Sequence, residues 1–526
     1  MSTTATPTAP PDPRRWWTLG VLCLSLIVIS LDNTILNVAL PTLELDLGAS
    51  SSQLQWIVDS YMLVFAGLLL TAGALGDRFG RRRALTFGLF VFGTGSALSA
   101  MATTPGMLIA ARAVMGAGGA FIMPSTLSII TNVFPPAERA KAIGIWAAFA
   151  GLGIAIGPVS GGWLVEHADW SWIFLVNVPF VVAALPLVRA LVPESSDPAS
   201  PPLDLPGFAL STAGLVALVW AIIEAPDRGW TAPATLGAFA VAIVTLGAFA
   251  RWQLRSPHPM LDVRLFRNPR FSASSVAISL AFFALFGMMF FITQYLQSIL
   301  GYSAFEAGLR TLPVAGGLVV AGPASAKLAE RLGAKVVVAA GLLIVGTGIS
   351  LLYFADADTG YGLVAASLAV LGIGMGMAMA PATDAIMGSL PLEKASVGSA
   401  VNDATRITGG ALGVAILGSV LASGYRGGME DAVAGLPAPA ADAARESLAG
   451  GMAAASQAGG EPGRHLLVAA QDAFLAGMHT AAIVAGLIAV AGSLVALVWL
   501  PAREASADAA AEVEVEVAPE RELVPA

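Results

Sequence analysis

The feature that most constrains this chain is the recurrence of apolar stretches of about 20 residues, each closed by charges or by glycine and proline turns. A helix of that length crosses the hydrocarbon core of a bilayer, and about fourteen such stretches can be marked off. They fall near 17–38, 55–75, 84–103, 107–128, 142–164, 172–192, 205–224, 233–252, 271–292, 306–326, 335–354, 362–386, 397–421 and 474–499. Only 12% of the residues are charged and 56% are hydrophobic. A soluble domain carries about twice that share of charge. The chain therefore reads as an all-α polytopic membrane protein. One cysteine, Cys23, excludes a disulfide framework, and four histidines far apart argue against a metal site. No cofactor is expected. The net charge of −8 arises partly in tails and loops and indicates no nucleic-acid partner.

Orientation follows from the basic residues. With both termini in the cytoplasm, 20 of the 27 Lys and Arg fall inside, four outside and three within spans. Residues 1–15 (Thr/Pro-rich) and 503–526 (Ala/Glu/Val-rich, acidic) read as disordered cytoplasmic tails. The stretch 424–470, rich in Ala and Gly, reads as a mobile or weakly helical external loop.

The chain repeats itself. Gly76-Asp77-Arg78-Phe79-Gly80 follows the second span and Ala329-Glu330-Arg331-Leu332-Gly333 follows the tenth. The offset from Asp77 to Glu330 also carries the start of span 1 at Trp17 onto the start of span 9 at Arg270. Two six-helix halves, 16–192 and 271–500, are thus expected, with two helices (203–252) inserted between them. Parallel halves of six are the plan of the major facilitator fold, with a substrate site between them near the midplane.

Three buried-charge features stand out. Asp32 lies about 22 Å along the helix from Trp17, and Arg112 about 10 Å below the outer surface, so the two sit at similar depth. They are expected to face each other, with Asp32 loading and releasing a proton; a static ion pair is the alternative. Asp403 and Arg406, three apart on span 13, are expected to neutralise each other, with Asp403 a second candidate for coupling. Asp59, a turn inside the outer end of span 2, could attract cationic substrates or simply be hydrated there. Gly153, Gly157 and Gly161 recur every fourth residue beside Pro158 and Gly162, spacing that lets two helices pack backbone to backbone. Phe286 and Phe290 on span 9, Met375 and Met379 on span 12, and the polar Asn37 and Gln294 are candidates for the substrate cavity, although such Phe and Met often face lipid or another helix.

These motifs resemble those of the major facilitator superfamily. The Gly73–Arg83 loop is similar to its signature loop, which implies that Asp77, Arg78 and Arg81, with Glu330 and Arg331 in the second half, form a latch that changes between transport states. The bland reading is that these arginines only fix topology. The Gly153–Gly162 stretch resembles the antiporter motif of exporters, and Leu108–Gly118 the proton-transfer motif, with Met115 where glutamine is usual. Leu31–Pro41 resembles the motif of the 14-span drug:proton antiporters of the EmrB/QacA type, and Trp172–Pro179 and Leu300–Ser303 match further.

The resemblance implies an antiporter of the bacterial inner membrane. It would exchange protons for lipophilic small molecules, cationic or uncharged, and act as a monomer with membrane lipid as its surroundings. A narrow exporter of one metabolite or natural product is the first alternative and a proton-coupled importer the second. An enzyme is disfavoured because no nucleophile, base or metal ligands converge at membrane depth. ATP-driven pumping is disfavoured because no Gly-Lys-Ser/Thr phosphate loop occurs.

Overall fold

The computed structural model describes residues 13–196, 202–390 and 395–501. Of the tails expected at 1–15 and 503–526, residues 1–12 and all of 503–526 lie outside the described residues, and Arg15 already begins the first helix. Among the described residues, thirteen helical runs are long and apolar enough to span a bilayer. In chain order they are α1 (Arg15–Leu47), α2 (Ser51–Phe79), α4 (Pro105–Val133), α5 (Pro136–His167), α6 (Trp172–Leu191), α7 (Leu205–Arg228), α8 (Pro233–Arg255), α9 (Pro269–Ile299), α10 (Ala304–Leu332), α11 (Ala334–Phe354), α12 (Tyr361–Gly388), α13 (Ala395–Met429) and α14 (Gly460–Trp499). The fourteenth is α3 (Arg81–Ala100). Three arginines and scattered Gly, Ser and Thr dilute its hydropathy, but it packs between α4 and α6 as a span does.

In hydrocarbon every backbone polar group must be satisfied within its own helix, so helices dominate. Their ends are fixed locally. Ser50 with Gln53 and Ser303 with Glu306 form capping boxes on α2 and α10. Thr104 and Asn268 cap α4 and α9 ahead of a proline in the first turn. Asp204 caps α7 through Gly207 N and also accepts from Trp252 Nε1 and Gln253 Nε2 of α8, tying the inserted pair together. Burial works against the ionised Asp204, yet these donors together hold its carboxyl below the usual carboxylate range.

The repeat read from the sequence is a repeat of packing. In the first half α1 pairs with α5 and α6, α4 with α2 and α3, and α3 with α6. In the second, α9 pairs with α13 and α14, α12 with α10 and α11, and α11 with α14. Each half has its own apolar core. The loop glycines Gly80 and Gly333 both take positive φ, 119° and 84°, at the same point of the two halves. The inserted pair rests on α2 and α13 through α7, leaving α8 packed chiefly on α7.

The 424–470 stretch, expected to be mobile or weakly helical, is largely helical. α13 runs on to Met429, α14 begins at Gly460, and between them lie helices Ala438–Glu446 and Leu448–Ala458. Alanine's helix propensity favours these turns, and the Tyr425 hydroxyl fastens them by bonding the carbonyls of Ala444 and Ser447.

Candidate functional site

Call the face that carries the two ends of the described chain basal and the opposite face distal. Between the halves lies a cavity of about 1180 Å³, its mouth included. Its wall comes from α1, α2, α4 and α5 on one side and α9, α10 and α13 on the other. Leu26, Ile29, Met62, Phe65, Met123, Phe282, Leu285, Phe286 and Met289 make it largely apolar. Asn33, Asn37, Ser30, Thr34 and Thr311 offer neutral hydrogen bonds, and Asp403 and Arg406 supply its charge. Such a lining suits a lipophilic guest oriented by a few polar groups.

The distal side of this cavity is shut, and the hydrogen bonds that bridge the halves gather there. Thr293 Oγ1 donates to Asn37 O at 2.8 Å and Gln297 Nε2 to Val38 O at 2.8 Å. Gln297 lies in a π-helical turn that ends α9. Glu166 of α5 accepts from Ser303 Oγ and Phe305 N of the α10 entry. The loop helices add a second layer. Glu44 of α1, buried, accepts from Ala449 N at 3.0 Å at the N-terminus of helix Leu448–Ala458. Ser51 Oγ donates to Glu446 O.

Asp32 and Arg112 do meet. Arg112 Nη1 lies 2.5 Å from Asp32 Oδ2, with the two side chains 2% and 0% exposed. Arg112 Nε donates to Ile57 O and its guanidinium lies 4.4 Å from the Tyr61 ring centre. Asn177 Nδ2 reaches Asp32 Oδ1 at 3.5 Å and Ser96 Oγ at 3.2 Å. The pair thus joins α1, α2, α4 and α6 behind the cavity wall, while its neighbours Asn33 and Thr34 line the cavity itself. Met115 stands beside it, with Sδ near Arg112 Nη1 and accepting from Ser99. Asn177 and Tyr61 were not singled out from sequence. The signal for Asn177 was available, since it is the one amide in the matched Trp172–Pro179 stretch.

Asp403 and Arg406 are arranged differently. Arg406 Nη1 is 3.8 Å from Asp403 Oδ1, its Nη2 reaches Thr383 Oγ1, and its guanidinium lies 5.6 Å from the Phe282 ring centre. Both residues line the cavity.

The glycine stripe of α5 serves the seam with α1. A β-carbon at Gly161 would come within 2.6 Å of Ile35 Cγ1, and one at Gly153 or Gly157 would overlap Ser30 or Thr34. Thr34 Oγ1 donates to Gly153 O across that seam. Gly162 and the Pro158 carbonyl instead face the α10 entry, against Ala304 and Gly308. Pro158 also lines the cavity.

On the basal face, Arg81 Nε contacts Asp77 Oδ1 at 2.7 Å. Glu194, past the end of α6, accepts from Arg82 N, and Ser195 O accepts from Arg81 N. Sequence reasoning missed Glu194. Arg78 is exposed beside Phe79. Glu330 and Arg331 are exposed in a basal cleft with Arg270 and Asp384.

Of the cavity candidates, Asn37 and Phe286 line it and five others do not. Asp59 is fully buried on α2, with neither carboxylate oxygen hydrogen-bonded. The same face of α2 places Gln55 against Gly418 and Met62 near Gly410, so Asp59 points into the seam with α13 rather than to a hydrated mouth. Phe290 and Gln294 lie toward the distal closure in a separate small pocket with Leu54 and Leu448. Met375 and Met379 face the second half's core because glycines at 372, 374 and 376 turn α12 tightly against α10 and α11. Arg310, unassigned from sequence, is held by Tyr302 and Tyr361, with its guanidinium 3.7 Å from the Tyr302 ring centre.

Two six-helix halves around an apolar, charge-tipped cavity define a membrane transporter. The Major Facilitator Superfamily profile matches residues 22–414, and the chain belongs to that superfamily. It is 40% identical over 495 residues to the multidrug efflux pump LfrA of Mycolicibacterium smegmatis, covering 94% of this chain and 97% of that protein. It is 34% identical to the tetracenomycin C resistance and export protein of Streptomyces glaucescens (94% and 93% covered) and 34% identical to the methyl viologen resistance protein SmvA of Salmonella typhimurium (88% and 93%). Among solved structures, a bacterial homologue of the human lysosomal transporter Spinster, inward-facing and unoccupied, superimposes with a TM-score of 0.66 at 20% identity, covering 94% of this chain and all of that one.

Proposed function

We propose that the protein is a proton-coupled antiporter of the bacterial inner membrane that exports lipophilic drugs, cationic or uncharged, by alternating access. The basal face is cytoplasmic in this reading, in keeping with its arginines, and the distal closure makes the arrangement inward-facing. The observation that carries the proposal is the placement of two acidic groups on opposite sides of the cavity, one open to it and one sealed behind its wall. Asp403 is exposed to whatever occupies the cavity, while Asp32 sits sealed behind the same α1 residues that a guest would touch. A guest pressing on Asn33 and Thr34 and a proton neutralising Asp32 would act on one helix, each favouring the state to which it binds better. The Gly153–Gly161 seam couples α5 rigidly to that helix. Asp77 and Arg81, with Glu194, are the latch of the first half; Glu330 and Arg331 supply the second. The relatives named for drug efflux and resistance support export over import. The relative named for a single antibiotic keeps a narrow substrate range as the second reading.

Inside-out vesicles with an imposed proton gradient test this. Gradient-driven uptake of lipophilic dyes is expected in the wild type and should fall about 100-fold in Asp32→Asn, the upper range of coupling between sites. Uptake that persists in that variant would move coupling away from Asp32. Dye uptake that ignores the gradient would overturn proton antiport.

A further inference from the structure

The basal ends of α3 and α6 enclose a groove that the transport reading leaves without a role. Arg82 and Arg83 of α3 and Arg189 of α6 stand at its head, and Phe87 and Phe90 of α3 with Pro186 of α6 line it toward the bilayer interior. Its open volume is about 1510 Å³. Phe87 and Phe90 are 52% and 62% exposed, as suits acyl-chain contact. The charge at the head is unbalanced. Glu194 is the carboxylate that serves Arg82 and Arg83, at 3.6 and 3.7 Å, and the Arg83 side chain is 78% exposed. Arg189 makes no hydrogen bond or ion pair among the described residues, and it is exposed. Arginines that only fixed topology would require neither a groove nor an aromatic wall beneath them.

We infer that this groove binds an anionic phospholipid, its phosphate held by the Arg83 and Arg189 guanidiniums and its chains lying along Phe87 and Phe90. Guanidinium suits a phosphate oxyanion because it offers paired donors in a plane. Basic pockets between membrane helices at the headgroup level recognise such lipids. The site adjoins the Asp77–Arg81 loop, since Glu194 also accepts from Arg82 N and its neighbour Ser195 from Arg81 N. A second anion at the head of the groove would share Arg82 and Arg83 with Glu194 and so bear on how that loop is held.

Native mass spectrometry of the purified full chain, titrated with cardiolipin, phosphatidylglycerol or phosphatidylcholine, tests the assignment. The wild type should hold one anionic lipid more tightly than the rest and show no such preference for phosphatidylcholine. Arg83→Gln with Arg189→Gln should weaken that event about 30-fold, at ~1 kcal/mol per basic residue near a membrane surface. The control Arg251→Gln with Arg255→Gln removes equal charge from the basal end of α8 and should leave it in place. An unchanged affinity in the groove variant, an equal loss in the control, or full competition by inorganic phosphate would each overturn a specific lipid site. Unfolding temperature and dye transport, measured alongside, separate a lost site from a misfolded chain.

Discussion

Two acid–arginine pairs near the cavity, Asp32–Arg112 and Asp403–Arg406, are built to opposite specifications. Asp32–Arg112 joins different helices, closes to 2.5 Å and is sealed from the cavity, with Asn177 and Ile57 taking further hydrogen-bonding positions. Asp403–Arg406 lies within one helix turn at 3.8 Å, its side chains 11% and 27% exposed to the cavity. A charge that is fully partnered and out of reach responds only when helices move. A loosely held one on a cavity wall responds to the guest. On the proposed reading, carboxylates sharing one transport pathway would divide the work, the sealed pair reporting conformation and the open pair reading substrate.

The sharpest way to break this contrast is to remove the arginine from the sealed pair. Arg112→Gln would leave the Asp32 carboxylate buried against one weak amide contact, and breaking a buried pair from one side costs about 3–5 kcal/mol. A clear fall in unfolding temperature is expected, and Asp32→Asn in the same chain should restore most of it by removing the stranded charge. An Arg112→Gln variant as stable as wild type would show that the pair does not hold the first half together.

The open pair should fail in a different currency. Asp403→Asn removes the cavity's carboxylate and leaves Arg406 uncompensated, so binding of monocationic dyes should weaken about tenfold, the scale of one partly screened charge contact. Uncharged compounds should bind nearly as before, and stability should change little. Equilibrium binding to the purified protein checks this, with Asp32→Asn as the reference, whose affinities for charged and uncharged compounds should shift together. Equal losses for charged and neutral compounds would mean that Asp403 shapes the cavity without reading charge.

How much of this was legible in the sequence depended on whether a property is local. Spans, the repeat and the Asp32–Arg112 encounter follow from hydropathy, period and depth, all of which a single helix carries. Helix rotation does not. Asp59 was placed near the outer end of its span and Gln294 among the cavity candidates, but packing turns both into the distal seam, and the Met face of α12 was a cavity candidate although glycines press it into a core. Glu194 was invisible because its role exists only when the end of α6 returns to the α2–α3 loop. The 424–470 stretch was read as mobile or weakly helical, and its anchoring was not legible: its sparse apolar residues pack two short helices once Tyr425 and Glu44 supply polar anchors.

Those anchors set the subtlest test, because they bear on which state the sealed pair reports. Glu44 belongs to the first half and Ala449 to the second, so their hydrogen bond must part when the distal side opens. A carboxylate at a helix N-terminus contributes about 1 kcal/mol through capping and the helix dipole. Glu44→Ala should therefore shift the closed-to-open equilibrium of the distal side about fivefold toward open. Glu44→Gln should fall between, since an amide oxygen still accepts from Ala449 N but carries no charge. Distances between spin labels on the distal ends of α2 and α13, measured without substrate, would resolve the populations. A shift in Glu44→Ala with transport intact would mark the loop helices as a brake on opening, set apart from the coupling proposed at Asp32. No shift would make them a passive cover, and the distal seam of α1, α5, α9 and α10 would carry the closure alone.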